Sequence, residues 1–319
     1  MDIHEVLSAL PGIIQRCDLC LESGPATIVP AARIRLLKSA PRTADGMGVI
    51  EITDDERALL YGDFSGFHLY AIVTHTKFRV DPSSVRLMKG NRFAAGIYFE
   101  SMDNGRAPAC QSRTLTLWFN SPVLNAEHVE ACSYGAEPNG FAFHVPGHGV
   151  QKFLCDLALV TGFSTRPVTI AAKIEYIGKS VRGGWEVHNR FQGGHNKLDT
   201  VLAELVQRQS FRDVSIFVYK PGELAANLAF QIVVEAFEAG LIGYFKPKHN
   251  EEHRNFPASA HQLTAAIRSI GASGLKVQLE PPRNVALYSE GQPIPEKNPR
   301  GKLRSPPLLR TEKTRAAYL

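Results

Sequence analysis

Between residues 48 and 143 the chain is a succession of short runs rich in β-branched and aromatic residues, each closed by Gly, Pro, Asn or Asp. That texture leaves antiparallel β-structure as the natural fold of its first half. Phe67-His68-Leu69-Tyr70-Ala71-Ile72-Val73-Thr74 and Thr114-Leu115-Thr116-Leu117-Trp118-Phe119 read as strands. Asp81-Pro82-Ser83-Ser84 and Met102-Asp103-Asn104-Gly105 read as the turns between such runs, because Gly, Asn and Asp adopt turn backbone cheaply and Pro fixes it. Ahead of this region, Ile3, Val6, Leu7, Leu10, Ile13 and Ile14 recur at near-helical spacing, broken at Pro11-Gly12 and closed by Ser23-Gly24-Pro25. This spacing predicts one or two short helices in the first 35 residues. Residues 1–150 are thus expected to form a mainly β domain.

The texture changes after residue 150. Strands are expected over 153–160 and 168–176, with a turn around Thr161-Gly162-Phe163, and a basic, glycine-containing loop follows. Leu198, Val201, Leu202 and Leu205 share one face of a helix predicted over 197–208. A third strand is expected over 214–219, Pro221-Gly222 turns the chain, and a long helix is expected over 224–245, stopped by Lys246-Pro247. Strand, strand, helix, strand, helix describes a compact α/β unit over residues 151–275. The fold class expected of the whole chain is α/β, with a mainly β N-terminal domain preceding a small α/β domain.

Composition narrows the function classes. A chain of 319 residues with 44% hydrophobic and 21% charged residues can bury one or two cores. It has no run of apolar residues long enough to cross a membrane, and Met1-Asp2-Ile3-His4-Glu5 does not open a secretory signal, so a cytoplasmic protein is expected. Five cysteines at irregular spacing agree with a reducing compartment. Cys17-Asp18-Leu19-Cys20 would need a histidine brought in by the fold to make a zinc knuckle, and two small buried residues on a helix face explain the pair as well. His249 and His253 have helical zinc-ligand spacing but follow Pro247 in expected loop. Phosphate loops of the nucleotide-binding type and Gly-x-Ser-x-Gly nucleophile elbows are absent, which argues against nucleotide hydrolysis and esterase chemistry.

Most of the net charge of +5 is carried by the tail, where residues 289–319 hold seven basic against three acidic residues. Five prolines in the same stretch exclude a regular helix or a central strand, so residues 276–319 are expected to be an extended or disordered tail. Such an arm either adds salt-sensitive attraction to phosphate backbones or is simply a solvated terminus.

The sharpest local sequence is Glu175-Tyr176-Ile177-Gly178-Lys179-Ser180, at the end of a predicted strand. Arg190 and His195 follow where a helix begins, and then comes Glu238-Ala239-Gly240-Leu241-Ile242-Gly243-Tyr244-Phe245-Lys246-Pro247-Lys248-His249-Asn250. In this order the segments resemble the GIY-YIG nuclease superfamily, and the second is similar to the glutamate helix of the excision-repair nuclease subunit. The resemblance spans about residues 168–250. The family's first motif, Gly-Ile-Tyr on the preceding strand, has no counterpart between Gln151 and Glu175, and Gly96-Ile97-Tyr98 lies far upstream in the β region. One catalytic tyrosine is therefore expected to be missing. The loop from Lys179 to Arg190, with Gly183 and Gly184, is also longer than the resemblance leads one to expect.

The resemblance implies a metal-dependent endonuclease acting on nucleic acid, DNA more than RNA, of use in genome defence, restriction or repair. The chemistry assigns the parts. Hydrolysing a phosphodiester calls for a divalent metal, magnesium or manganese, and Glu238 is the hard oxygen ligand for it. Arg190 offers a planar guanidinium to the scissile phosphate, with Lys179 and Arg182 as backbone clamps. Tyr176 or His195 would take the proton from the attacking water, with His188 in reserve, and Asn250 would fix the site loop or contact substrate. A homodimer would suit cutting of both strands. The alternative is a protein with the same fold that binds nucleic acid or regulates without cutting.

Overall fold

The computed structural model describes residues 17–22, 27–30, 66–101, 111–133, 138–166, 168–180, 187, 195–208, 212–220, 230–258, 261–269, 272–292 and 314–318. Fourteen strands and four helices lie among these residues, so the chain is α/β with strands in the majority. In chain order they are β1 (Cys17–Glu22), β2 (Thr27–Pro30), β3 (Leu69–Thr76), β4 (Arg79–Met88), β5 (Arg92–Ser101), β6 (Gln111–Asn120), β7 (His128–Ser133), β8 (Pro138–Val145) and β9 (Gly149–Leu154). They continue as α1 (Leu157–Gly162), β10 (Ile170–Lys179), α2 (Asn196–Arg208), β11 (Arg212–Tyr219), α3 (Phe230–Phe245), α4 (His261–Ser269), β12 (Ala272–Leu279), β13 (Val285–Tyr288) and β14 (Thr314–Tyr318).

The central sheet has the order β13-β10-β3-β11-β2. Its middle strand, β3, is antiparallel to both β10 and β11. A boundary at residue 150 is therefore not a boundary of the sheets: β3, from the first half of the chain, is the strand on which the second half is built. β2 adds to the same sheet beside β11, and β1 pairs with β12 in another. The helices expected from the spacing of Ile3 to Ile14 lie outside the described residues, whereas Cys17–Glu22 and Thr27–Pro30 are strands, so the helix-face explanation of Cys17 and Cys20 fails.

One face of the central sheet carries Leu69, Ala71, Val73, Ile177, Phe217 and Tyr219, packed in one core with Val233, Val234, Phe237 and Leu241 of α3. The other face carries Tyr70, Ile72, Ile216 and Val218, covered by Leu198 and Val201 of α2. The predicted amphipathic helix over 197–208 and the strand over 214–219 are both present to within two residues. The long helix is described from Phe230, and residues 221–229 lie outside the described set.

Between β3 and β10 the chain makes two three-stranded antiparallel sheets, β4-β5-β6 and β7-β8-β9. Phe93 of β5 stacks on Phe119 of β6 and meets the edges of Phe141 and Phe143 of β8, with ring centroids 4.9, 4.9 and 5.2 Å away. All four rings are fully buried and continue the core that lies between the central sheet and α3. The strand expected over 153–160 is instead the end of β9 followed by α1. Asp156 caps that helix by accepting from the Leu159 N–H at 2.8 Å. Leu157-Ala158-Leu159-Val160 is apolar throughout, and such a run does not distinguish a buried strand from a buried helix.

The expected start of the tail at residue 276 cuts through β12. Beyond it, β14 pairs with β12 at the edge of the sheet β1-β12-β14, a place where a sequence rich in proline just upstream can still add a strand. Among the described residues no helix is long and apolar enough to cross a membrane.

Candidate active site

The site begins with an irregularity in β10. Ile174 pairs with Val73 and Tyr176 with Ile72, so β10 spends one residue more than β3 at this point. Glu175 is the extra residue of a β-bulge. Regular alternation would have put Tyr176 on the same face as Ile174, toward α3; the bulge turns it to the α2 face. There its ring lies 6.1 Å from the ring of Tyr70 and 5.7 Å from that of His195. The bulged Glu175 is buried but satisfied, accepting from Thr74 Oγ1 at 3.1 Å and pairing with Lys173 at 3.2 Å.

Tyr70 is the residue that sequence reasoning missed. It stands on β3, across the sheet from β10 and before the whole two-sheet insert. Tyr70 is directly opposite Gly178 in the ladder, and a Cβ on Gly178 would stand 2.4 Å from the Tyr70 hydroxyl and 2.7 Å from the Tyr176 ring. The glycine of Tyr176-Ile177-Gly178 is therefore a requirement of space: two phenol rings converge over it. Gly96-Ile97-Tyr98 lies on β5 of the insert, where Ile97 is core and Tyr98 is exposed.

His195 is buried and joins this group while capping α2. Its Nδ1 accepts the Leu198 backbone N–H at 3.1 Å, and its carbonyl accepts the first helical bond, from Asp199. An accepting Nδ1 carries no proton, so the hydrogen-bond network assigns a neutral ring protonated on Nε2. Nε2–H then donates to the Tyr70 hydroxyl oxygen at 2.5 Å. The cap and the contact with Tyr70 are one geometry.

On the other side of the strand end, Lys179 Nζ is 2.8 Å from Glu238 and 3.5 Å from Glu235, one helical turn apart on α3. Glu238 is buried, and burial holds its carboxyl above the ordinary carboxylate range while the Lys179 ammonium pulls the other way. Lys179 is thus a partner of Glu238 and not a free clamp for a phosphate backbone, as the sequence had it.

Asn250, expected to fix the loop or touch substrate, holds the end of β10 through its amide. Nδ2 donates to the Ile177 carbonyl at 2.8 Å and Oδ1 accepts the Ile177 N–H at 2.9 Å. The His249 N–H donates to the Glu175 carbonyl in the same way, at 3.0 Å. β13 pairs with β10 only as far as Lys173, so His249 and Asn250 satisfy the edge that the missing continuation of β13 leaves open. The end of β10 therefore separates two groups: Tyr176 and Gly178 face α2 together with Tyr70 and His195, while Lys179 faces α3 and pairs with Glu238. Arg182, His188 and Arg190 lie outside the described residues.

No protein-family model, curated protein or solved structure matches this chain.

Proposed function

We propose that the protein is a metal-dependent endonuclease of GIY-YIG type that hydrolyses phosphodiester bonds in nucleic acid, DNA before RNA. The observation that carries this reading is the convergence of Tyr70, Tyr176 and His195 over Gly178, because it supplies from β3 the tyrosine that the linear motif lacks. A hydrogen bond donated by His195 to the Tyr70 oxygen favours the form of the phenol that has given up its proton, which is what a base acting on water needs. Tyr176 lies beside it to orient the water or the phosphate. The buried Glu238, in the interaction with Glu235 and Lys179, fits a hard cation: the ammonium already occupies a cation position between two carboxylates on one helix face. Bound there, magnesium or manganese would polarise the phosphoryl oxygen and stabilise the leaving oxygen. The two-sheet insert between the strands bearing Tyr70 and Tyr176 is suited to recognising the substrate or a partner.

The test is cleavage of labelled single- and double-stranded DNA and RNA with magnesium or manganese against EDTA. Metal-dependent products from the wild type, absent from Glu238→Ala, are expected; products that persist in Glu238→Ala would remove Glu238 as the metal ligand. The Lys179–Glu238 pair favours a second reading, a protein that binds nucleic acid without cutting, since the ammonium competes with metal for the carboxylate. Salt-sensitive binding with intact substrate in every lane would establish it.

A further inference from the structure

A second group of metal-ligand side chains lies on the insert, apart from the tyrosines and Glu238. Antiparallel pairing of β7 and β8 sets His128 opposite His144, and Glu130, two residues along β7, faces the same side. Their neighbours Val129, Phe141 and Phe143 point inward to the aromatic core, which leaves the two histidines and the glutamate on the solvent face. His144 Nε2 is 3.2 Å from one Glu130 oxygen and His128 Nε2 is 3.9 Å from the other. The imidazole centroids are 5.2 Å apart, and one ligand atom from each of the three residues lies within 4.8 Å of the other two.

Ligand atoms about 2.0–2.1 Å from a tetrahedral zinc stand roughly 3.3 Å from one another, so the group closes on a common centre by side-chain rotation alone. The backbone beneath is fixed, because β8 is hydrogen-bonded on both edges. We propose that His128, Glu130 and His144 form a binding site for a divalent transition metal, zinc foremost, with three protein ligands and a fourth position left to water. Two imidazoles and one carboxylate suit zinc and not magnesium, which takes oxygen ligands and keeps its waters. As a plain surface ion pair the group would contribute little to stability.

The experiment uses the full chain, stripped with EDTA and desalted, titrated with zinc by calorimetry and with cobalt(II) by visible absorption. A single zinc site is expected in the wild type and, unchanged, in Glu238→Ala, with the strong visible bands of four-coordinate cobalt and no competition from magnesium. His128→Ala, His144→Ala and Glu130→Gln should each weaken zinc binding by about 10-fold or more and abolish the rise in melting temperature that zinc gives the wild type. These side chains are exposed, so the variants should keep the wild-type circular dichroism. A wild type that takes up no zinc, or histidine variants that bind it as tightly as the wild type, would overturn the proposal.

Discussion

At the scale of single residues, the proposed nuclease should take its pH behaviour from Glu238. Burial raises the carboxyl above the ordinary range, so the folded chain holds this proton more tightly than the unfolded chain does, and a metal must displace it. In the proposed nuclease, metal binding at Glu238 should therefore be present above the raised value and be lost as pH falls through it, at a higher pH than an exposed glutamate would give. Lys179 lowers the value, so Lys179→Met should move the acid limb of metal-dependent cleavage to higher pH; the pH profiles of the two proteins check this, and an unmoved limb would show that Lys179 does not tune the carboxylate. Tyr176, His195 and Glu238 were legible in the sequence because they are near one another along the chain or stand in a recognisable order. Tyr70 was not, because its strand, Phe67-His68-Leu69-Tyr70, reads as one more run in a β-rich stretch. The signal that could have found it was Gly178: a glycine in a strand often marks a close approach by another group.

At the scale of elements, the bulge at Glu175 and the clamp by Asn250 place Tyr176, and neither can be read from residue type. A bulge is a property of a pair of strands, and the partner of β10 was not foreseen. Asn250 was recognised as a site residue, but its role depends on where β13 stops. Asn250→Ala leaves the Ile177 N–H and C=O without their partner in a buried place, which should cost about 1–3 kcal/mol. The urea midpoint measures this, and an unchanged midpoint would mean that water replaces the amide at no cost. Among the described residues of 197–245, α2 was well anticipated because its apolar periodicity is regular, and β11 and α3 because their apolar runs have lengths suited to a strand and a helix and are bounded by turn and stop signals. α1 and β1 were not, since six-residue runs carry too little periodicity to decide between helix and strand.

At the scale of the molecule, the strands of the central sheet are separated along the chain by two further sheets. β3 precedes the two-sheet insert and β10 follows it, so local texture changes near residue 150 while the central sheet runs across that point. A chain beginning at residue 151 would lack β3 and with it the middle of the central sheet, and should show neither the dispersed amide spectrum nor the cooperative unfolding of the full protein. A stable, cooperatively folded 151–319 fragment would restore the sequential two-domain view. In the proposed nuclease this topology makes the chemistry, because the tyrosine from before the insert completes the site after it. The most direct test is the rate of metal-dependent cleavage by Tyr70→Phe beside the wild type, at saturating magnesium. Loss of one hydroxyl should slow cleavage by roughly 100-fold or more with folding and nucleic-acid binding intact, whereas a Tyr70→Phe protein that cuts at the wild-type rate would contradict the account.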